Sequence, residues 1–168
     1  MRENWIPVEN AWATLEDCNC FCCGQSHEWG FKLRFFFDPD KNAVVSEVPP
    51  IKEGMAGWPG ILHGGFQAML LDEIMVWGVM HFAGKTSFTG KMDVRFVQAV
   101  KTGVPLLLET EPVKISKRLV KMEGRLLEAE SGETLCDGSG TYIIPSLKEF
   151  RDNFGADNVP DRFAAYLR

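Results

Sequence analysis

The pattern of apolar and polar residues predicts one long helix near the middle of the chain. Residues 66–82 are almost all apolar and include no proline, which is typical of a helix of about 17 residues. The apolar side chains cover nearly every face of this helix rather than a single stripe. A helix of this kind is surrounded by protein instead of lying on a surface.

Two adjacent acidic residues interrupt this apolar helix. Asp72 and Glu73 are the only formal charges between His63 and Lys85. At about 100° per residue, Asp72 lies almost directly above Gly65, within a stripe of otherwise apolar side chains. A carboxylate in such a stripe is costly unless another group pairs with it or a reaction uses it. Asp72 is therefore the first candidate for chemistry.

Segments with strand character lie on both sides of the helix. Alternation over residues 31–38 predicts a half-buried strand, and residues 43–48 are predicted to return antiparallel to it after a turn. Residues 51–60, rich in Gly and Pro, are expected to form a loop. Gly138 and Gly140 are predicted points of close backbone approach or bulging. Four further strands are predicted after the helix, at residues 87–97, 106–113, 119–128 and 134–144.

Together these elements predict an α+β fold, in which an antiparallel sheet of about six strands wraps around one long buried helix. Residues 5–17 are expected to form a short helix, and the end of the chain a helix, a turn and a second helix. The chain thus divides into a Cys-rich entry segment at 1–27, a main domain at 28–145 and a helical tail at 146–168.

Composition and charge exclude several classes of protein. The chain has 168 residues and a net charge of −5, which suits one domain with its own core and argues against nucleic acid as a partner. No uncharged apolar stretch reaches the ~18 residues of a transmembrane helix. Residues 1–5 lack the apolar core of a signal peptide. We therefore expect a cytoplasmic protein that does not bind membranes.

The cysteines are crowded into a short segment: Cys18, Cys20, Cys22 and Cys23. This arrangement does not look like a secreted disulfide framework. Cys20 and Cys23 have the spacing of a metal half-site, but Cys136 is isolated and His27 is the only nearby imidazole, so a second half is not apparent. We favour a buried turn without metal. A metal-binding or redox-active module at residues 18–23 stays open as an alternative.

The segment His63-Gly64-Gly65, followed on the helix by Leu70-Leu71-Asp72-Glu73, resembles the hotdog-fold acyl-CoA thioesterases, in particular the branch related to phenylacetate-pathway thioesterases. Asp72 stands nine positions after His63, the spacing that carries the resemblance, which covers roughly residues 28–145. The run Cys20-Phe21-Cys22-Cys23-Gly24 also looks like the entry segment of one subgroup. The resemblance implies that the α+β architecture above is a hotdog fold.

This resemblance also implies catalytic roles. Gly65 would polarise the thioester carbonyl with its backbone N–H, because a helix N-terminus offers unpaired donors and partial positive charge. Asp72 would act as nucleophile or as base for water, at a site completed by the opposite subunit's helix. Thr89 would hold the attacking water or the carboxylate, and His63 would shape the loop and contact the substrate.

Other residues are expected to bind the substrate by the same resemblance. Trp58, Gly64 and Gly90 would contact it near the reacting group. Lys117 and Arg118 fall where relatives place a basic residue near the coenzyme A phosphates. Their context, Ile115-Ser116-Lys117-Arg118, departs from the common Gly-Lys pattern of the family.

Structural roles stay open as alternatives at several of these positions. His63 would then only cap the helix, Asp72 would be a carboxylate tied to helix N–H groups or to a partner chain, and Thr89 would be an ordinary strand residue. Trp58 would be a packing aromatic. Glu73, about 100° further round the helix, is expected to be a structural acid at a subunit contact.

The resemblance implies an enzyme that hydrolyses acyl-CoA to a free acid and coenzyme A, without a metal or organic cofactor. We expect a homodimer or homotetramer, because the family's site is shared between chains and strand 87–97 would otherwise be an exposed edge. The methionines and phenylalanines predict an adaptable apolar pocket for aryl or fatty acyl groups. A non-catalytic acyl-CoA sensor, or a hotdog hydratase or dehydratase that uses His63, stays open.

Overall fold

The structure is a computed structural model that describes residues 4–9, 19–154 and 161–167. Its central element is the helix α1, Gly64–Ala83, of 20 residues. Its N-cap is His63, whose side chain accepts a hydrogen bond from the first turn, and its C-cap is Gly84, which adopts the left-handed conformation with φ of 62°. Glycine adopts this C-terminal conformation without a Cβ penalty. The predicted long buried helix is confirmed, with one more turn than the apolar run alone.

An antiparallel sheet packs against α1. Among the described residues it has seven strands, in the order β1-β2-β3-β7-β8-β9-β6, and a separate hairpin pairs β4 with β5. The α+β fold predicted from the sequence is confirmed. The strands are β1 Ile6–Pro7, β2 Phe36–Asp38, β3 Ala43–Val48, β4 Ala56–Trp58, β5 Ile61–Leu62, β6 Phe88–Phe96, β7 Leu106–Ile115, β8 Leu119–Glu128 and β9 Thr134–Ile143.

Three local predictions were wrong. The predicted loop at 51–60 contains β4, which pairs with β5 just before α1. The helix predicted at residues 5–17 is wrong over residues 5–9, because β1 in this segment pairs with β2. Residues 10–18 lie outside the described residues. The predicted strand 31–38 is regular only in β2. Lys32 has a positive φ of 54°, and the N–H groups of Phe31 and Leu33 donate to carbonyl oxygens of the entry segment instead of to a strand.

The helix and the sheet make a single apolar core. Leu70, Leu71, Ile74 and Met75 of α1 are fully buried. Small residues let the two layers approach closely: a Cβ on Gly78 would lie only 2.6 Å from the Met122 side chain. The predicted close approaches in β9 are confirmed, because a Cβ on Gly138 would lie 2.7 Å from the Asp93 carbonyl oxygen and one on Gly140 would overlap the ring of Tyr142.

Strand β6 is the exposed edge of the sheet. Within residues 4–9, 19–154 and 161–167 its only strand partner is β9, and most of its residues are exposed. Its register shifts between Thr89 and Lys91, which makes Gly90 the extra residue of a β-bulge. Bulges re-aim neighbouring side chains, and this one lies next to the acidic centre of α1.

The chain after the sheet returns to the C-terminal end of α1. It forms the helix α2, Leu147–Phe154, and a 3-10 helix, Asp161–Tyr166, so the second helix predicted in the tail is a 3-10 helix. Phe150 and Leu167 are buried together there, and the Phe150 ring stacks on Phe88 with centroids 5.6 Å apart. In the part of the chain that the structure describes, no helix combines the length and apolarity needed to cross a membrane.

Candidate functional site

The Asp72 carboxylate lies in the middle of α1 and is held by two hydroxyl groups. Thr89 Oγ1 donates to Asp72 Oδ1 at 2.8 Å, and the Tyr142 hydroxyl donates to the same oxygen at 3.1 Å. No hydrogen bond among the described residues uses Oδ2. One carboxylate oxygen is therefore fixed by the sheet, and the other is available to accept a proton or to attack a carbon.

Thr89 is brought to Asp72 by the bulge in β6. The strand departs from regular register at Gly90, where a Cβ would lie 3.0 Å from Ile143 Cδ1 and 3.2 Å from the Thr141 carbonyl oxygen. Gly90 therefore holds the bulge against β9. Of the two β6 residues predicted to act at the site, Thr89 contacts Asp72 directly, and Gly90 supports the local backbone that presents it.

Tyr142 is a site residue that the sequence interpretation missed. It lies in β9, is fully buried, and its hydroxyl reaches Asp72 from beneath the helix. Burial, followed by the charge of Asp72, raises the pKa of Tyr142 well above its usual range, so the hydroxyl stays a donor. A signal existed: the chain has two tyrosines, and a buried tyrosine hydroxyl needs a partner.

The N-terminus of α1 is formed by His63, Gly64 and Gly65. The Gly65 N–H donates to His63 Nδ1 at 2.9 Å, while the N–H groups of Phe66 and Gln67 donate to the His63 carbonyl oxygen at 3.0 and 3.3 Å. His63 is thus a helix cap. The donor assigned to the thioester carbonyl, Gly65 N–H, is occupied by the imidazole, and Gly64 N–H has no partner among the described residues.

Gly65 and Asp72 are not brought together within one chain. They lie on the same side of α1, seven residues apart. At a rise of about 1.5 Å per residue, that separation is roughly 10 Å along the helix axis. A single carbonyl group cannot contact both positions, so a site that uses both needs a second copy of the chain.

Aromatic surface borders the N-terminus of α1. Trp58 is 77% exposed and Phe96, at the end of β6, is 55% exposed. A Cβ on Gly64 would lie 3.2 Å from the Phe96 ring, so the ring covers the first turn of the helix. Trp58 is therefore not a core aromatic, and together with Phe96 it offers an apolar surface beside the His-Gly-Gly segment.

Lys117 and Arg118 lie far from this helix N-terminus. They occupy the exposed turn between β7 and β8, and Lys117 lines an open cavity of 510 Å³ with Ala83 at the last residue of α1. Arg118 is 3.7 Å from the Glu149 carboxylate. From Asp72 to the last residue of α1 the distance along the axis is about 16 Å. The structure does not bring these cations to Asp72 or to Gly65 within one chain.

Glu73 faces the entry segment of its own chain. The indole N–H of Trp77 donates to Glu73 Oε1 at 2.9 Å, and Cys20 Sγ lies 3.8 Å from Oε2. Burial, followed by the charge of Cys20, raises the pKa of Glu73 to about 7. Hydrogen bonds from the Cys22 and Cys23 thiols lower the pKa of Cys20. The two neighbouring acids of α1 therefore have different partners: Asp72 accepts from the hydroxyl groups of two strands, and Glu73 contacts Trp77 and the entry segment.

Comparisons with known proteins agree with this architecture. A family model described as the thioesterase superfamily matches residues 59–135. The human acyl-coenzyme A thioesterase THEM5 is 26% identical over 134 residues, which are 79% of this chain and 53% of that protein. The chain therefore spans about half the length of this curated relative.

Solved structures share the fold. One is the thioesterase superfamily protein RHA08564, with 20% identity, a TM-score of 0.66 and coverage of 74% of this chain and 60% of that one. Another is a hypothetical thioesterase from Streptococcus pneumoniae solved with coenzyme A, with 21% identity, a TM-score of 0.55 and coverage of 60% and 77%.

Proposed function

We propose that this chain hydrolyses acyl-CoA thioesters to a free acid and coenzyme A, because a family model of the thioesterase superfamily matches residues 59–135 and a solved protein of that superfamily shares its fold. The observation that carries this proposal is the Asp72 carboxylate. Two hydroxyl groups hold its Oδ1, while Oδ2 is left to act on water or on the thioester carbon. A carboxylate set in this way serves as general base or nucleophile.

In the base pathway, Asp72 takes a proton from a water molecule whose oxygen attacks the thioester carbonyl carbon. The carbonyl oxygen becomes an oxyanion and then re-forms the double bond as the carbon–sulfur bond breaks. The proton held by Asp72 goes to the leaving thiolate, which yields coenzyme A and the free acid. Atoms and charges balance without a metal or organic cofactor.

Carbonyl polarisation is assigned to the first turn of α1. The N–H of Gly65 is aimed at His63 Nδ1, so the substrate oxygen would replace the imidazole as its acceptor. Backbone donors at a helix N-terminus stabilise developing negative charge. His63 would thereby keep the Gly65 N–H oriented until substrate binds. In this way the helix cap would also contact the substrate.

The catalytic unit is proposed to be a homodimer, with a tetramer formed from two such dimers as the larger form. Gly65 and Asp72 are about 10 Å apart on one helix, and the open edge of β6 provides a surface on which two sheets can join. Antiparallel pairing of β6 with its copy would set the two α1 helices side by side in opposite directions. Gly65 of one chain would then face Asp72 of the other.

The long shape of acyl-CoA suits the distribution of the remaining candidates. Trp58 and Phe96 present apolar surface beside the helix N-terminus, where the acyl or thioester end would lie. Lys117 and Arg118 are exposed cations remote from it, which suits a ligand whose phosphates lie far from its reacting carbon. The streptococcal neighbour solved with coenzyme A supports this choice of ligand.

The decisive experiment measures turnover of short, long, branched and aryl acyl-CoAs, with free coenzyme A followed by chromatography because the protein's own thiols would react with a thiol reagent. Asp72→Asn should abolish turnover, and Asp152→Asn, on the exposed surface of α2, should not change it. If no acyl-CoA is hydrolysed but several bind tightly, the hydrolase proposal fails and an acyl-CoA sensor replaces it.

A further inference from the structure

The entry segment and α1 together build a second cluster of reactive groups. The side chains of Cys20, Cys23 and Glu73 each place one ligand atom within 4.8 Å of the others. The two cysteines come from a tight turn, whereas the acid comes from the helix, more than fifty residues later. The sequence spacing gave only half of a metal site, and the fold supplies the missing ligand.

The turn that carries the two cysteines is held by close backbone packing. The Gly24 N–H donates to the Cys20 carbonyl oxygen at 2.8 Å, and the Phe31 N–H donates to the Phe21 carbonyl oxygen at 2.9 Å. A Cβ at Gly24 would lie 2.5 Å from the Cys20 carbonyl oxygen. Both sulfurs are therefore presented from a fixed backbone toward α1.

The helix side of the cluster is equally fixed. Trp77 lies one turn after Glu73 and donates its indole N–H to Oε1, while its ring stacks on Phe35 with centroids 4.1 Å apart. This contact fixes the carboxylate beside Cys20, whose sulfur lies 4.0 Å from Oε1 and 3.8 Å from Oε2. A hydrogen bond behind a ligating group is the usual second partner of a metal ligand.

The cluster gathers potential negative charge without a protein cation. None of the ion pairs among the described residues includes Glu73, and Asp72 is its direct neighbour on the helix. Thiolates and carboxylates that converge in a partly buried place need a compensating positive charge. A bound divalent cation would provide it.

We propose that Cys20 Sγ, Cys23 Sγ and a carboxylate oxygen of Glu73 bind a zinc ion, with a water molecule as the fourth ligand. Zinc takes Cys, His and carboxylate ligands in tetrahedral geometry, at about 2.3 Å from sulfur and 2.0–2.2 Å from oxygen, which sets ligand atoms about 3.5–3.8 Å apart. The Cys20–Glu73 separation of 3.8 Å already meets this distance, and sulfur ligands favour zinc over magnesium or calcium.

The ion would fasten the entry segment to α1 one residue away from Asp72. It would neutralise the acid next to the reacting carboxylate and leave Asp72 as the free anion of the helix. The ion would not touch Asp72, because Glu73 and Asp72 point to different sides of α1. The site is therefore independent of whether the protein hydrolyses acyl-CoA.

The test begins with wild-type protein produced with added zinc and purified under reducing, oxygen-free conditions. Elemental analysis should find about one zinc per chain, the number that a single three-ligand site predicts. Replacement by Co²⁺ should give the near-ultraviolet thiolate-to-cobalt charge-transfer band and the visible bands of a tetrahedral ion. These measurements need no variant, so poor folding of a mutant cannot obscure them.

Variants then assign the ligands. Cys20→Ser and Cys23→Ser should each lose the metal, and Glu73→Gln should weaken its binding. Trp77→Phe, which keeps an aromatic side chain but removes the indole N–H, should weaken metal binding by about 10–100-fold. Cys136→Ala, which removes a buried thiol elsewhere, should keep one metal per chain. The proposal is overturned if reduced wild-type protein gives no cobalt band, if both Cys variants keep the metal, or if Cys20 and Cys23 are joined as a disulfide in oxygen-free preparations.

Discussion

Tyr142 and Asp72 stand 70 positions apart in the sequence, yet the phenol hydroxyl lies 3.1 Å from the carboxylate oxygen. Thr89 donates to the same oxygen from the opposite, exposed side. The carboxylate is thus oriented by one buried donor and one donor at the edge of the sheet. These two contacts can be removed separately, which allows the role of each to be measured.

Tyr142→Phe should lower kcat by about tenfold or more with little change in KM. A hydrogen bond to a charged group contributes about 1.5–3 kcal/mol, and its loss leaves Asp72 less well oriented for the attacking step. The measurement is steady-state hydrolysis of the best acyl-CoA found. Tyr166→Phe, at the 3-10 helix near the chain end, is the matched control; equal losses in both variants would assign the effect to stability rather than to Asp72.

Thr89→Val should reduce kcat while Thr89→Ser restores most of it. Valine keeps the shape and β-branching of threonine but cannot donate to Asp72, whereas serine can. Thr89 is exposed, so the thermal unfolding midpoint of both variants should stay close to that of the wild type. If Thr89→Val hydrolyses acyl-CoA at the wild-type rate, Thr89 is only a strand residue.

His63→Ala should lower the free energy of unfolding by about 0.5–2 kcal/mol, the usual cost of losing a helix N-cap. The change is measured by urea denaturation. The folded variant should keep measurable hydrolysis, because the Gly65 N–H becomes free for the substrate oxygen. A folded His63→Ala protein as inactive as Asp72→Asn would instead assign the imidazole a chemical role, as in a hydratase or dehydratase.

Co-expression of two inactive variants tests the shared site. A dimer of Asp72→Asn with Gly65→Val should regain activity, since one of its sites would combine the intact Gly65 of the first chain with the intact Asp72 of the second. The dimers are separated by two affinity tags and assayed against each homodimer. If each chain contained its own complete site, both sites of the mixed dimer would be defective and no activity would return.

Gly78→Ala should destabilise the protein by about 1–3 kcal/mol, as expected when a methyl group is forced into a packed core. The new Cβ would lie 2.6 Å from Met122 Cε and 2.7 Å from Thr110 Cγ2, which outweighs the better helix propensity of alanine. Gly54→Ala has open space around it and serves as the control. Equal unfolding midpoints for the two variants would show that the helix can move away from the sheet.

The fold was largely predictable because local pattern and global packing agree in most elements. The apolar run of α1 predicts a buried helix, and the strand-like runs that follow it correspond to β6, β7, β8 and β9. The prediction failed where a contact distant in sequence decides the conformation. Residues 31–35 alternate like a strand, but bonding to the entry segment, as from Phe31 to Phe21, and the positive φ of Lys32 override the pattern.

The candidate site was predictable only in part for the same reason. Asp72 is conspicuous in the sequence because it is a charge inside an apolar helix, whereas Thr89 was expected only because the resemblance to the thioesterases implies a hydroxyl at that place. Tyr142 gives a weaker sign. A buried tyrosine hydroxyl needs a partner, but its relation to Asp72 depends on the register of β9 beneath α1. The partners of Glu73 likewise become visible only when the entry segment is folded back on the helix.

Asp72 and Glu73 are adjacent on α1, so the direction in which each side chain points, rather than its chemical type, decides which groups it contacts. The two side chains differ by one methylene, but a rotation of about 100° separates the hydroxyl donors from the cysteine turn. Deleting one residue between Gly65 and Asp72 would bring Glu73 into the place of Asp72. The present Asp72 would then face neither the hydroxyl donors nor the cysteine turn. The acid proposed to react is thus fixed by a count of residues from the His-Gly-Gly segment, and an insertion or deletion between them would exchange the surroundings of the two acids.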